Sequence, residues 1–298
     1  MKKLFLSLLL LTIGVQTSNA QGCSDAGICS IGNSFVAEKS TKNLIELGAV
    51  YGVGDGDVTS VTGYATYSRE FSKSFAMSVK VTYFSASGNN VSNSQLGDAY
   101  LIGNYKFAEK DQKQWSALVG FKIPFTSADA KSDGFPLPMD YQASLGTYDL
   151  IVGTNYHMAK WDFNAGLQLP IGNNNKNSYF ANPLVSTDFV STNLFERKPD
   201  ALFRTTYTYV TTTKWSFKPN VLFIYHLGED TFQNSLGSRE NIKGSDGLTI
   251  NGNLITAYQL NANNSLELSL ATPFLVRKER PDGLTRAFTA GLTYKMSF

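Results

Sequence analysis

The stretch FTAGLTYKMSF, residues 288–298, decides the fold of this protein. Aromatic, aliphatic or other apolar residues occupy every second position from Phe288 to Phe298, and mostly small or polar residues lie between them. A period of two is the pattern of a β-strand with one apolar face. Because chain ends usually fray, a strand that continues to its last aromatic residue is predicted to be held against a neighbour.

The same alternation recurs about a dozen times along the chain, for example in the runs that begin at Ile45, Phe75 and Trp115. Each run has about the 9–11 residues of a tilted membrane strand. No 3.6-residue period persists, so the sequence predicts an all-β protein. If the apolar face of each strand is turned toward lipid, the predicted fold is a closed antiparallel transmembrane β-barrel of about 12 strands.

Loop lengths favour lipid over a soluble core. Connections after even-numbered strands are short, such as AEKDQK and TTTK. Those after odd-numbered strands are mostly long, and include residues 85–95, 127–146, 172–197 and 228–245. Short periplasmic turns that alternate with long extracellular loops are typical of outer-membrane barrels.

Aromatic residues mark the membrane interface. Trp115, Trp161 and Trp215 each begin a strand directly after a short turn, which places them at the periplasmic interface, where indole rings collect. The last strand is expected to close the barrel against the first. Its final Phe298 resembles the C-terminal signal of outer-membrane proteins, so the expected partners are outer-membrane lipids and the barrel assembly machinery.

The other end of the chain resembles a secretory signal, with Lys2 and Lys3, a short apolar run and a small-residue cleavage site. We therefore expect a signal peptide at 1–20, a periplasmic segment at 21–41 and the barrel at 42–298, in the outer membrane of a Gram-negative bacterium. Cys23 and Cys29 are predicted to form a local disulfide. An acylated Cys23 is the alternative, but the leucine that such sites place three residues earlier is missing.

Composition argues against several functions. Without Lys2 and Lys3, basic and acidic residues are equal in number, and nothing suggests the basic patch of a nucleic-acid partner. No cofactor is expected, and metal-ligand spacing is absent. The histidines are His157 in a short turn and His226 near a strand end, and neither accompanies a nucleophile motif. The chain is not expected to be an enzyme.

With apolar residues turned to lipid, the opposite strand faces line the lumen. The predicted lumen-facing residues are Glu46, Lys80, Asp98, Lys122, Asp149, Asp162, Arg204, Lys218, His226, Glu267 and Lys295. Among them, acids and permanent bases balance, which argues against a strong ion-selective field. Pairs that brace neighbouring strands are favoured over a substrate-binding role.

The loop from Gly172 to Lys198 is too long for a plain connection. It is rich in aromatic and aliphatic residues, in which disordered loops are poor. We expect residues 179–195 to fold over the barrel mouth as a gate with a low-affinity apolar site, after a flexible polar hinge at Gly172–Asn177. The gate candidates are Tyr179, Phe180, Leu184, Phe189 and Phe195, with Phe135, Leu137 and Met139 from another loop. A loop that only packs on its neighbours is the alternative.

The segments GFKIPF (120–125), TYDLIVGTNY (147–156) and LQLPIG (167–172) resemble the outer-membrane transporters grouped with meta-pathway phenol degradation proteins. That group is distantly similar to the long-chain fatty-acid channels of the FadL type. The resemblance implies passive uptake of small, apolar or aromatic molecules. A structural or receptor-like barrel with a blocked lumen is the alternative function.

Overall fold

The computed structural model describes residues 42–298 except 55, 112, 183, 185–187 and 284–286. The predicted signal peptide (1–20), the segment 21–41 and the Cys23–Cys29 pair lie outside the described residues. The described chain is a closed antiparallel barrel of twelve strands, which confirms the predicted fold class. Among these residues, no helix is both long and apolar enough to cross a bilayer.

The twelve barrel strands follow one another around the ring in sequence order. Their bounds are β1 (Asn43–Val53), β2 (Thr59–Ser72), β3 (Phe75–Gly88), β4 (Val91–Lys110), β5 (Lys113–Pro124), β6 (Thr147–Met158), β7 (Trp161–Asn173), β8 (Asp200–Tyr207, continued by Tyr209–Val210), β9 (Trp215–His226), β10 (Gly247–Gln259), β11 (Asn264–Leu275) and β12 (Phe288–Ser297). The loops add two small hairpins, at residues 131–136 and 231–241, and a 3-10 turn at Met139–Tyr141.

Pairing of the first and last strands closes the ring. β1 pairs with β12 from Leu44↔Ser297 to Val53↔Phe288. Phe298 extends this seam, because its N–H donates to the carbonyl of Asn43 at 3.0 Å and its carbonyl accepts the Asn43 N–H at 3.1 Å. Every strand therefore has two neighbours, as a sheet in lipid requires.

Large apolar side chains cover the outer face of the barrel. Examples that are between 40 and 55% exposed are Leu47, Tyr67, Val79, Leu101, Val119, Phe121, Leu268 and Leu292. A soluble monomer rarely exposes an apolar patch of more than about 300–600 Å². This belt is the lipid-facing surface.

The three tryptophans lie at the predicted strand starts and share one arrangement. Each indole contacts the tyrosine opposite it on the next strand. The ring centroids are 4.6 Å apart for Trp115–Tyr156, 4.8 Å for Trp161–Tyr207 and 4.6 Å for Trp215–Tyr258. These tilted pairs form an aromatic girdle at the end of the barrel that carries the short turns.

The prediction of a long loop at residues 85–95 is wrong. β3 and β4 continue to Gly88 and Val91, and only Asn89 and Asn90 join them, with φ of 49° and 61°. Asparagine tolerates this left-handed region. Two such residues in a row make the tight hairpin turn that matches strand twist. The remaining long loops follow β5, β7, β9 and β11 at the same end of the barrel.

Cysteine labelling tests which end of the barrel is extracellular. In a background with Cys23 and Cys29 replaced by serine, Leu236→Cys should react with a membrane-impermeant maleimide on intact cells, because Leu236 is 89% exposed in the β9–β10 loop. Thr213→Cys, in the exposed β8–β9 turn, should react only after lysis. The opposite result would invert the orientation.

Candidate functional site

Four of the predicted lumen charges form one chain of ion pairs. Lys218 on β9 lies 3.4 Å from Glu267 on β11. Lys295 on β12 lies 3.0 Å from both Glu267 and Glu46 on β1. All of them project inward, and the chain links four of the strands next to the closing seam. Opposite charges in a lumen can brace the wall in this way without leaving a net field.

A second pair lies on the other side of the lumen. Lys122 and Asp149 are 2.9 Å apart and are only 2% and 0% exposed. Lys122 also donates to the hydroxyl of Thr147 at 2.9 Å, and Gln168 donates to Asp149. Asp98 accepts a hydrogen bond from outside the strands, from Ser144 in the β5–β6 loop at 2.6 Å. Asp98 thus joins the barrel wall to that loop.

The remaining predicted charges have different surroundings. Lys80 lies over the ring of Tyr64, 4.1 Å from its centroid. Asp162 lies 2.9 Å from His157 at the β6–β7 turn. Within the described part of the chain, Arg204 on β8 has no ion pair or hydrogen bond, and its buried Nε has no partner.

An apolar cluster inside the lumen was not found from the sequence. It comes from five strands, β4, β5, β6, β8 and β9, and its members pack on one another inside the barrel. They are Tyr100, Ile102, Leu118, Ile151, Leu202 and Leu222, with Ile224 beside them. The available signal was adjacent pairs of large apolar residues in mid-strand, such as Leu101–Ile102 and Leu150–Ile151, where alternation would place a polar residue inside.

The long loops fold together over the extracellular mouth as a cap. Phe195 of the β7–β8 loop is fully buried there with Met139 and Leu145 of the β5–β6 loop and Ile242 of the β9–β10 loop. Phe189 packs on a second cluster and contacts the ring of Tyr141, with the centroids 6.3 Å apart. Two of the predicted gate residues thus lie inside the cap.

The other gate candidates lie nearer the surface. Tyr179 is partly buried, whereas Phe180 and Leu184 are 45% and 96% exposed. From the β5–β6 loop, Leu137 is buried and Phe135 is 75% exposed. The exposed side chains do not contribute to the cap.

The predicted flexible hinge at Gly172–Asn177 is wrong. Asn173, Asn175 and Asn177 each accept the backbone N–H two residues further on, at 2.9–3.0 Å. Asn177 is 1% exposed and donates to the carbonyls of Ala128 and Leu137 at 3.0 Å. Asparagine side chains mimic backbone turns in this way, and the buried Asn175 and Asn177 fix the stretch to the β5–β6 loop.

A cluster of buried charges ties the cap to the barrel rim. We call it the ion cluster, and its members are Arg197, Asp200, His226, Asp230, Arg277 and Asp282. Arg277 lies 2.7 Å from Asp282, and Arg197 lies 3.5 Å from it. His226 places its two ring nitrogens 2.6 and 2.8 Å from Asp200 and Asp230. Only the imidazolium form donates from both nitrogens, so three cations face three carboxylates.

Charges in the ion cluster stabilise one another. Burial alone would raise the pKa of Asp282, but Arg277 and Arg197 outweigh it and hold that pKa well below its ordinary value. Burial would lower the pKa of Arg197, yet Asp200, Asp282 and Asp230 together raise it. The stability that Asp282 contributes is present above the unfolded-state pKa and is lost only as the pH falls through the lower folded value. Asp282 and Arg197 are therefore ionised at neutral pH.

Two cavities meet at Met139. The outer one, about 350 Å³, opens on the extracellular face between four loops and is lined by Met139, Phe189 and Pro281 among others. The inner one, about 30 Å³, lies below Met139 and is lined by Tyr100 and Lys122 of the barrel wall. Tyr100 also belongs to the apolar cluster. Met139 thus separates an extracellular pocket from the lumen.

No family model and no curated protein sequence matches this chain. Among solved structures, an outer membrane channel from Pseudomonas putida F1 is similar over 89% of this chain and 98% of its own, with a TM-score of 0.63 and 14% identity. The translocator domain of the autotransporter NalP from Neisseria meningitidis covers 91% and 94%, with a TM-score of 0.53 and 8% identity. These likenesses show the fold of an outer-membrane barrel. They do not confirm the phenol-degradation or FadL-like group.

Removing one charge should loosen the cap. Asp282→Asn leaves Arg277 without its buried partner carboxylate, whereas Arg197 keeps Asp200, and breaking such a buried pair costs about 3–5 kcal/mol. Trypsin on intact cells should then cleave after Arg277, which is 7% exposed in the closed cap. The matched control is Glu196→Gln, whose partner Arg239 is in an exposed pair worth about 0–1 kcal/mol. Equal cleavage of both variants would show that the ion cluster does not hold the cap.

Proposed function

We propose that this protein is an outer-membrane channel for the passive uptake of small, apolar or aromatic molecules. The observation that carries the proposal is an apolar route inside a lumen that is otherwise polar. Met139 lines both cavities, Tyr100 lines the inner cavity and belongs to the apolar cluster, and Leu118, Ile151 and Leu222 continue that cluster into the barrel.

The outer cavity suits a first binding step. At about 350 Å³ it falls within the usual volume of small-molecule sites, about 300–1,000 Å³. Its wall is mostly polar, with charged residues such as Asp140, Asp188 and Arg280, and Pro138, Phe189, Val190 and Pro281 add apolar contacts. A solute that leaves this pocket inward meets Met139, an unbranched side chain that changes shape easily. The described cap is closed at this point, so transport requires Met139 and the loop beneath it to move.

Gly283 controls how closely two cap loops approach. Its φ is +62°, and a Cβ at this position would lie 2.3 Å from the carbonyl oxygen of Met139. Only glycine has both the conformation and the space that this contact needs. The β11–β12 loop therefore rests directly on the backbone of Met139 and Asp140 and keeps the cap closed.

The alternative is a structural or receptor-like barrel whose lumen is permanently blocked. The ion cluster and the packed apolar cluster are the observations in its favour. The two functions differ in one measurable property, because a blocked barrel passes neither ions nor solutes. Conductance of the purified protein in a planar bilayer separates them.

Forcing the two loops apart should open the channel. Gly283→Ala is expected to raise single-channel conductance and to speed uptake of the aromatic probe N-phenyl-1-naphthylamine by cells that lack general porins. The matched control is Gly134→Ala, which has φ of +83° but nothing within 4 Å of a Cβ, so it carries the same backbone strain without the clash. Its conductance should equal that of the wild type.

Heat-modifiable migration on gels would establish that both variants fold as barrels. Folded wild-type and Gly283→Ala proteins that pass neither ions nor the probe would overturn the channel in favour of the blocked barrel.

A further inference from the structure

Arg204 differs from every other predicted lumen cation in the described chain. Lys122, Lys218 and Lys295 each lie within 3.4 Å of a carboxylate, and Lys80 lies over an aromatic ring. Arg204 has neither, and no hydrogen bond satisfies its guanidinium group. The side chain as a whole is partly exposed, but its Nε is buried without a partner, and a buried polar group without a hydrogen bond is unfavourable.

The residues beside Arg204 show the same lack of partners. Cross-strand pairing forms one inward-facing row over β7, β8, β9 and β10, in which Asn164 pairs with Arg204, Arg204 with Leu222 and Leu222 with Asn251. Asn251 is fully buried, and neither its amide nitrogen nor its oxygen has a hydrogen-bond partner. The side-chain oxygen of Asn164 is also unpaired. Buried polar groups usually have hydrogen-bond partners in native proteins. The unpaired groups of this row are therefore candidates to bind a polar ligand.

Apolar side chains adjoin the same row. Leu222 is opposite Arg204 on the next strand, and Leu202 lies two residues away on the same face of β8. Both belong to the apolar cluster, which forms the inner end of the apolar route that begins at Met139. The surroundings thus combine one cation without a carboxylate, the unpaired amide nitrogen of Asn251 and an apolar wall.

We propose that Arg204, with the amide nitrogen of Asn251, forms a lumen site for small amphipathic anions, with aromatic carboxylates as the substrate class. The planar guanidinium group pairs with both oxygens of a carboxylate. The ring of the solute would lie against Leu202 and Leu222. This assignment rests on the proposed channel function and narrows its substrate class from apolar molecules in general to those that carry one negative charge.

Charge compensation elsewhere strengthens the selectivity of the site. Lys122, Lys218 and Lys295 pair with lumen carboxylates, so these fields largely cancel. Arg204 faces no carboxylate and therefore makes the local potential around this row positive. A cationic solute would be repelled there, and a neutral one would leave the guanidinium group unsatisfied.

Calorimetric titration of the detergent-solubilised barrel tests the site without requiring an open channel. The probes are benzoate, acetate, which lacks the ring, and benzyl alcohol, which lacks the charge. Benzoate should bind the wild type more tightly than either, and Arg204→Gln should weaken benzoate binding about tenfold or more, since hydrogen bonds to charged groups are the strong ones. Arg204→Lys should restore part of the affinity.

The matched control is Lys218→Gln, which also removes one lumen cation but leaves Glu267 paired with Lys295. Its benzoate affinity should equal that of the wild type. Equal loss in both variants, or equal binding of benzoate and acetate, would overturn the site.

A planar-bilayer measurement separates this inference from the channel itself. Benzoate should reduce the chloride current through the open Gly283→Ala barrel saturably, and not when Arg204→Gln is added. Benzoate binding without any conductance in either barrel would refute the channel and keep the site. Conductance with no benzoate binding would keep the channel and refute the site.

Discussion

Lipid offers no hydrogen-bond partner to a backbone, and the architecture depends on this constraint. A sheet satisfies it only by closing, so the pairing of β1 with β12 is the contact without which no strand could remain in the bilayer. Closure also fixes the register. A shift of one residue would turn each side chain to the opposite face, exposing Glu46 and Lys295 to lipid at about 2–4 kcal/mol for a charge near the midplane.

Once the register is fixed, the lumen must accommodate the charges that lipid excludes. Most of them are neutralised by neighbours, as in the chain from Lys218 to Glu46 and the Lys122–Asp149 pair. Such pairs need little from bulk water, which a narrow lumen cannot supply. Arg204 lacks this compensation within the described residues, and that exception gives the lumen a chemical preference that the balanced composition conceals.

The strands, the girdle and the inward charges could be predicted because period two and interfacial tryptophan follow directly from the bilayer. The apolar cluster could not, because the same reasoning assigned every apolar residue to the outside. Ile151 and Leu222 are apolar because they pack into one cluster inside the lumen, and alternation does not indicate such packing. The turn at Asn89–Asn90 was misjudged because polar residues resemble a loop until their left-handed conformation is known.

Loop tertiary contacts were also beyond sequence reasoning. Apolar content in the β7–β8 loop correctly indicates burial, and Phe195 is buried, but composition does not distinguish it from the exposed Leu184. The ion cluster draws Arg197 and Asp282 from loops about 85 residues apart in sequence. No local pattern links them, because their interaction arises only after the barrel has brought the strand ends together.

The chemistry of the cap favours a gate over a permanent plug. A plug that never moves would be held as well or better by apolar contacts, since replacing buried ion pairs with well-packed apolar residues is often neutral or stabilising. Charged groups at the mouth have a different property. When the cap lifts, Arg277 and Asp282 become hydrated, and this hydration offsets much of the attraction that is lost, whereas apolar surfaces would resist exposure to water. An ion-paired rim above the proposed apolar route therefore lowers the free-energy difference between the closed and open states of the cap. The same ion pairs hold the closed cap in one defined arrangement.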